Sequence, residues 1–282
     1  MELQVKKDSA QDFMEKMAFQ KVKRMLLESG CVNPAGYREE YLKRRFEVRL
    51  RATESFTYGK YLIYLRKNPD EVKNLLNDLT INYTYFFRDT DVYTYLEKTL
   101  LPKLFQGQKA IKIWSAGCAS GEEPYSLAIL AHKILGKAAD SNRVTIFASD
   151  IDKDALSSAS KGRYQLRQLG PIGDADREEY FAKDDEAFVV KDFVKQTIHF
   201  EHFDLMSPPK HSGLDLILCR NVMIYFSKEG QQQIHMGFYR ALRGDGYFIT
   251  GKSEILSGEP ALKFKAIDHQ TRVYQKPNLY AN

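Results

Sequence analysis

Ile111-Lys112-Ile113-Trp114-Ser115-Ala116-Gly117-Cys118-Ala119-Ser120-Gly121-Glu122-Glu123-Pro124-Tyr125-Ser126 is the stretch from which the rest of the chain is read. Its apolar start reads as a buried strand. The small residues after Trp114 let the backbone turn sharply and approach a ligand closely. Pro124 suits the first turn of a helix running on to Leu135. Strand, glycine turn and helix start together form a nucleotide-cofactor site in an open α/β sheet. The turn lacks G-x-x-x-x-G-K-[ST] and any clean G-x-G-x-x-G, so it is not a phosphate cradle. Two carboxylates, Glu122 and Glu123, stand at the helix entrance instead. They would repel a pyrophosphate but suit a ligand with a cation and hydroxyls, which S-adenosylmethionine combines.

Outward from this stretch, strands and helices alternate. Val144 to Ala148 is a second strand, followed by a helix from Asp154 to Ala159. Leu214 to Cys219 is a third, and Lys228–Leu242 is its following helix. Late strands are expected at 246–250 and 271–275. This order predicts a mostly parallel, doubly wound sheet. Between Gly162 and Phe200 the pattern breaks. Val189-Val190, Phe193-Val194 and Ile198-His199-Phe200 read as short antiparallel strands of a small inserted subdomain.

Before Asp91 the texture is helical. Phe13, Met17, Val22 and Met25-Leu26 are roughly helically spaced, and Gly30 with Asn33-Pro34 ends that segment. Leu42, Phe46 and Leu50 form the buried stripe of a helix from Arg38 to about Arg51. Tyr58–Leu65 and Glu71–Leu79 continue the pattern. The division expected is a helical domain over 1–78, a linker over 79–90, and an α/β domain over 91–282 with its insert at about 162–200.

The 282 residues are 43% hydrophobic, enough for a real core, and carry a net charge of +5. Residues 38–67 alone hold nine Lys or Arg against four Glu, a surplus as large as that of the whole chain. The excess is too mild, and too poor in aromatic-basic interleaving, for a nucleic-acid partner. No apolar run reaches the roughly 18 residues of a membrane span, and the N-terminus lacks a signal-peptide apolar region. Cys31, Cys118 and Cys219 are widely separated and odd in number, which suits a reduced, cytoplasmic protein. Monomer is the default, with no direct membrane insertion.

Several residues at strand ends could carry chemistry. Asp150 closes the second strand, where an acidic side chain can bind both hydroxyls of a ribose. Asp152 and Asp154 read instead as candidate caps of the next helix. Asp204-Leu205 follows a strand over 198–203 and could reach an adenine. Arg220-Asn221 sits in the crevice at the end of the third strand. Val222, Met223, Ile224 and Phe226 read as core, whereas Asn221 and Tyr225 read as functional. No histidine falls in a metal-ligand pattern, and no metal is expected. Cys118 and Cys219 lack a histidine partner and read as small buried residues rather than nucleophiles.

Four separated motifs resemble the CheR family of chemotaxis-receptor glutamate methyltransferases. They are Thr80-Ile81-Asn82-Tyr83-Thr84-Tyr85-Phe86-Phe87-Arg88, Ser120-Gly121-Glu122-Glu123-Pro124-Tyr125-Ser126, Phe147-Ala148-Ser149-Asp150-Ile151-Asp152 and Cys219-Arg220-Asn221-Val222-Met223-Ile224-Tyr225-Phe226. The resemblance covers nearly the whole chain. It implies an all-helical N-terminal domain joined to a Rossmann-like domain that binds S-adenosylmethionine and carries a small antiparallel insertion. The reaction implied esterifies a receptor glutamate and releases S-adenosylhomocysteine.

By position, the resemblance implies cofactor contacts from Asn82, Thr84, Arg88, Gly117, Glu123, Asp150, Asp204, Leu205, Arg220 and Asn221. Arg88 and Tyr225 are the catalytic candidates, Arg88 as a charge-assisted fork for a carboxylate of either cofactor or acceptor. The partner implied is the cytoplasmic helical bundle of a chemoreceptor, with Arg45, Arg49 and Arg51 facing its acidic surface. Some family members dock a receptor-tail pentapeptide through a longer glycine-containing loop in the insert. Here that loop is the short acidic Lys183-Asp184-Asp185-Glu186, so tail tethering is expected to be absent or weak. Lys252 stands where histidine is common, and Asp204 where asparagine also occurs. Two other readings stay open: a methyltransferase acting on another carboxylate, and a non-catalytic cofactor sensor.

Overall fold

A computed structural model of the protein describes residues 2–107, 109–136 and 139–278. Met1 and residues 279–282, the outermost positions of the expected domains, lie outside the described residues. The chain divides into two compact units, Met1–Ile81 with Tyr225–Gly230, and Asn82–Ile224 with Gln231–Asn282.

The first unit is built on α1 (Glu2–Glu28), α2 (Glu39–Ala52), α3 (Tyr58–Lys67) and α4 (Glu71–Leu79). Leu42, Phe46 and Leu50 are buried on α2 as their spacing predicts. On α1 the buried stripe is Ala18-Phe19, Val22 and Leu26, while Phe13 and Met17 are exposed. The expected stripe was therefore off by part of a turn in its first half. Phe19 is the anchor, its ring 5.4 Å from Phe46 and 5.2 Å from Tyr58. Residues 225–230 join this unit. Phe226 bridges to Tyr37, and Arg38 donates from its backbone to the Tyr225 carbonyl at 3.0 Å.

The second unit opens on α5 (Thr90–Tyr95) and α6 (Leu101–Gly107), joined through a π-turn over Leu96–Leu100. Its main sheet comprises β1 (Ile111–Ala116), β2 (Val144–Asp150), β6 (Ile198–His202), β7 (Leu214–Cys219), β8 (Leu242–Thr250), β9 (Lys265–Asp268) and β10 (Val273–Gln275). The order is β6-β2-β1-β7-β8-β10-β9. The first five are parallel neighbours and the last two run antiparallel. From β1 the chain winds outward to β2 and β6, then returns to β7 beside β1. The order thus reverses between β1 and β7, which makes a ligand crevice at their carboxyl ends. Helices α7 (Glu122–Leu135), α8 (Lys153–Lys161) and α11 (Lys228–Ala241) connect the strands. β7 is buried along its whole length, as a central parallel strand must be.

The insert holds β3 (Arg163–Gln165), α9 (Asp174–Tyr180), β4 (Phe181–Asp184), β5 (Ala187–Val190) and α10 (Asp192–Lys195), with strand order β3-β5-β4. Two expectations are corrected. Phe193-Val194 is helical, in α10. Ile198–Phe200 belongs to β6, which pairs in parallel with β2 and not in the small sheet. A short apolar run carries no signature of which sheet it joins. The last short helix, α12 (Glu259–Lys263), precedes β9.

Candidate active site

The carboxyl ends of β1, β2, β6 and β7 deliver Gly117, Asp150, Asp204-Leu205 and Arg220-Asn221 to one edge of the sheet. Gly117 has φ +81°, a left-handed turn that suits glycine. A Cβ built there would lie 2.6 Å from Val222 Cγ2, so the glycine turn and the loop after β7 are flush. Val222, read from sequence as core, is the wall of that turn. The Gly117 and Cys118 amides both donate to the Ser149 carbonyl, at 2.8 and 3.0 Å.

Asp150 ties the turn to β2. Its Oδ2 accepts from the Ala119 amide at 2.8 Å and its Oδ1 from the Asp152 amide at 2.9 Å. Burial nevertheless pushes its carboxyl up from the ordinary range. Asp152 is the helix cap, accepting from the Asp154 and Ala155 amides. It also accepts from Asn82 Nδ2 at 2.7 Å, which anchors the start of the linker segment.

Glu122 and Glu123 part company. Glu122 turns inward and accepts from Ser120 Oγ at 2.7 Å. Glu123 accepts from Ser115 Oγ at 2.7 Å and lies 3.6 Å from the Arg220 guanidinium. Burial raises the Glu123 carboxyl, against the pull of Arg220 and Ser115. Arg220 itself is a buried strut. Its guanidinium donates to the Arg88 carbonyl at 2.8 Å and pairs with Asp89 at 2.5 Å. Its charged head therefore holds the Arg88–Asp89 backbone and Glu123 in register. Asn221, at φ +62°, keeps a buried Oδ1 to which no group among the described residues donates. Asp89 and Val222 carry no sequence signature of these roles, because each is defined by a partner distant in the chain.

Arg88 lies over the rings of Tyr83 and Tyr85, 5.6 and 5.7 Å from their centroids, and donates to the Tyr83 carbonyl at 2.9 Å. Thr84 lies within the same half-buried segment. Asp204 accepts from the Met206 amide at 2.9 Å, closing a turn that sets Leu205 beside Trp114 and Phe203 at a small cleft. Lys252 pairs with Asp91 at 2.7 Å on the exposed rim. Cys118 and Cys219 are buried, and burial pushes both thiols well up, as expected of inert residues.

The family model described as CheR methyltransferase, SAM binding domain, matches residues 82–273. The one described as CheR methyltransferase, all-alpha domain, matches residues 17–80. The chain is 33% identical over 223 residues to a chemotaxis protein methyltransferase of Listeria monocytogenes serovar 1/2a, covering 78% of this chain and 84% of that protein. It is 34% identical over 215 residues to a probable chemotaxis protein methyltransferase of Rhizobium etli, covering 73% and 80%. For the chemotaxis protein methyltransferase of Salmonella typhimurium the identity is 32% over 247 residues, covering 85% and 84%. The chain belongs to the CheR methyltransferase family.

Membership makes this protein an S-adenosylmethionine-dependent methyltransferase, and the donor set fits that cofactor. Glu123, Asp150 and Asn221 Oδ1, the last unpaired among the described residues, are all acceptors, suited to an ammonium and ribose hydroxyls. Arg88 brings a guanidinium within electrostatic reach of Glu123. The two family-model matches meet where the compact units do, at Ile81/Asn82.

In the helical unit of this CheR family member, one expected docking residue has another task. Arg49 makes a bidentate pair with buried Glu71, at 2.8 and 2.9 Å, and reaches Asp78 at 3.1 Å. Tyr61 and Asn74 complete the cluster on Glu71. Arg49 thus ties α2 to α4 and is not an open face for a partner. Arg51 is exposed. Arg45 packs over Tyr41, with a buried Nε that finds no acceptor among the described residues. The Tyr225 ring lies 4.9 Å from Tyr41 in the same unit.

Proposed function

We propose that this protein methylates the side-chain carboxylate of glutamates in a chemoreceptor, giving methyl esters and S-adenosylhomocysteine in chemotactic adaptation. The observation that supports it best is the acceptor set of Glu123, Asp150 and Asn221 gathered at the reversal point of the sheet, with Arg88 as its cation. An acceptor glutamate has a reference pKa of about 4.3 and is already ionised at neutral pH. It needs no general base, which accords with two inert thiols and no histidine assigned to the site. When bound, S-adenosylmethionine supplies a methyl group already activated by its sulfonium. The work left to the chain is in-line positioning and removal of water from the acceptor.

In this reading Asp150 holds the ribose hydroxyls and Glu123 the ammonium, while Asp204-Leu205 frame the adenine. Asn82, Thr84 and Gly117 shape the backbone around the cofactor, and Asn221 supplies a further acceptor. Arg220 acts by holding Arg88 and Glu123. Arg88 orients a carboxylate, and Tyr225 offers its hydroxyl to the acceptor. Arg45 and Arg51 meet the acidic face of the receptor bundle. The insert does not tether a receptor tail: β4 and β5 are joined by Asp185-Glu186 alone, a turn with no loop to clasp a peptide. Three free cysteines accord with a reducing, cytoplasmic setting.

The test is transfer of a labelled methyl group to a purified chemoreceptor cytoplasmic fragment, followed by base. Label released as volatile methanol is the expected result. Cofactor binding without transfer to several receptor fragments would defeat the proposal and favour a sensor.

A further inference from the structure

Glu254 follows β8 and is buried, yet its carboxylate faces three backbone N–H groups. Oε2 accepts from Gly251 at 2.7 Å and from Asn221 at 3.0 Å, and Oε1 accepts from Met223 at 2.8 Å. Its own backbone is held in turn. The Glu254 amide donates to the Gly251 carbonyl at 2.9 Å, and Thr250 Oγ1 donates to the Glu254 carbonyl at 3.0 Å. A Cβ built on Gly251 would lie 2.6 Å from Glu254 Oε2 and 2.7 Å from the Asn221 nitrogen. The ends of β7 and β8 therefore close on this carboxylate with no room for a side chain between them.

We propose that Glu254 is a positioning residue of the cofactor site, fixing the left-handed turn that aims Asn221. A left-handed asparagine is a sparsely populated conformation that persists only where surrounding bonds over-determine it. Here two of those bonds come from one carboxylate, to residues 221 and 223 on either side of Val222. Only an ionised carboxylate offers acceptors in both directions. A carboxamide of the same shape has one acceptor oxygen and turns its NH2 toward one of the donors. Burial raises the Glu254 carboxyl against these N–H groups, so its charge depends on them.

The inference rests on the reading of Asn221 as a cofactor contact, and the experiment separates the two. Binding of S-adenosylhomocysteine to the full chain is measured by calorimetry for wild type, Glu254→Gln, Asn221→Gly and the double variant. Glycine keeps the left-handed turn accessible while removing the side chain. Asn221→Gly and Glu254→Gln should each weaken binding about tenfold or more. If Glu254 acts through Asn221, the double variant binds no worse than Asn221→Gly alone. Multiplying losses would overturn the inference, because Glu254 would then act elsewhere. Loss in Asn221→Gly with full affinity in Glu254→Gln would overturn it too, and would leave the site reading standing. Full affinity in Asn221→Gly would remove both. A purely structural Glu254 would lower the melting temperature and leave the affinity of the folded protein unchanged. Where Glu254→Gln does not fold, Gly251→Ala, which pushes a methyl against the same two groups, replaces it in the cycle with the same outcomes.

Discussion

Arg88 shows how one residue can be legible in a motif while its environment is not. Among the described residues its guanidinium makes a single hydrogen bond, to the Tyr83 carbonyl, and lies over two tyrosine rings. Arg88→Ala should lower kcat/KM on the order of a hundredfold or more, the loss typical of a misplaced reactant. Steady-state kinetics would check this, and wild-type rates at saturating substrates would defeat the catalytic role. The split is informative in itself. A rise confined to the KM for S-adenosylmethionine would put Arg88 on the cofactor carboxylate, and a fall in kcat would put it on the acceptor. Asp150 was readable because its place at a strand end follows from the order of the chain. Glu254 and Asp89 were not, because each matters only through groups that folding brings to it.

At the scale of elements, α2 carries the clearest lesson. Its buried stripe was plain in the spacing of Leu42, Phe46 and Leu50. The neighbouring arginines all looked alike. Folding separated them: Arg49 pairs with buried Glu71, Arg45 lies over Tyr41, and Arg51 is exposed. Arg49→Ala would leave Glu71 buried without its cation, which costs about 3–5 kcal/mol. Denaturant unfolding should show that loss, with the KM for a receptor fragment unchanged in the protein that remains folded. A stable Arg49→Ala variant with a raised KM would restore the docking reading. Removing the exposed Arg51–Glu47 pair, 4.0 Å apart, should change stability little. Periodicity likewise identified the parallel strands but not the sheet that Ile198–Phe200 joins. Strand pairing is a long-range choice: β6 pairs with β2, about fifty residues earlier in the chain.

The pH response of stability belongs to the whole molecule. His235 on α11 is buried, its ring 5.5 Å from Phe248, with an unpaired Nε2. Burial lowers its pKa from 6.5 to about 4. A folded-state pKa below the unfolded one means that stability is complete above pH 6.5 and is lost as pH falls toward 4. The loss amounts to about 3 kcal/mol over that window. Comparing wild type with His235→Leu across the same range isolates it, because the raised carboxyls Glu123, Asp150 and Glu254 are common to both chains. A stability difference that does not move with pH would show that His235 is not buried neutral. By itself the sequence determined the alternation of strands and helices, the helical first unit, the cofactor turn and the motifs of the CheR family. Those are local patterns of spacing, turn chemistry and strand-end position, carried by neighbours in the chain. Only the tertiary structure decided that β6 joins the main sheet, that Arg49 and Arg220 are inward struts, that Val222 walls the Gly117 turn and that Glu254 accepts from the amides on either side of Val222. Each of those depends on a buried contact between residues far apart in sequence, where desolvation leaves a polar group no partner but the one the fold supplies.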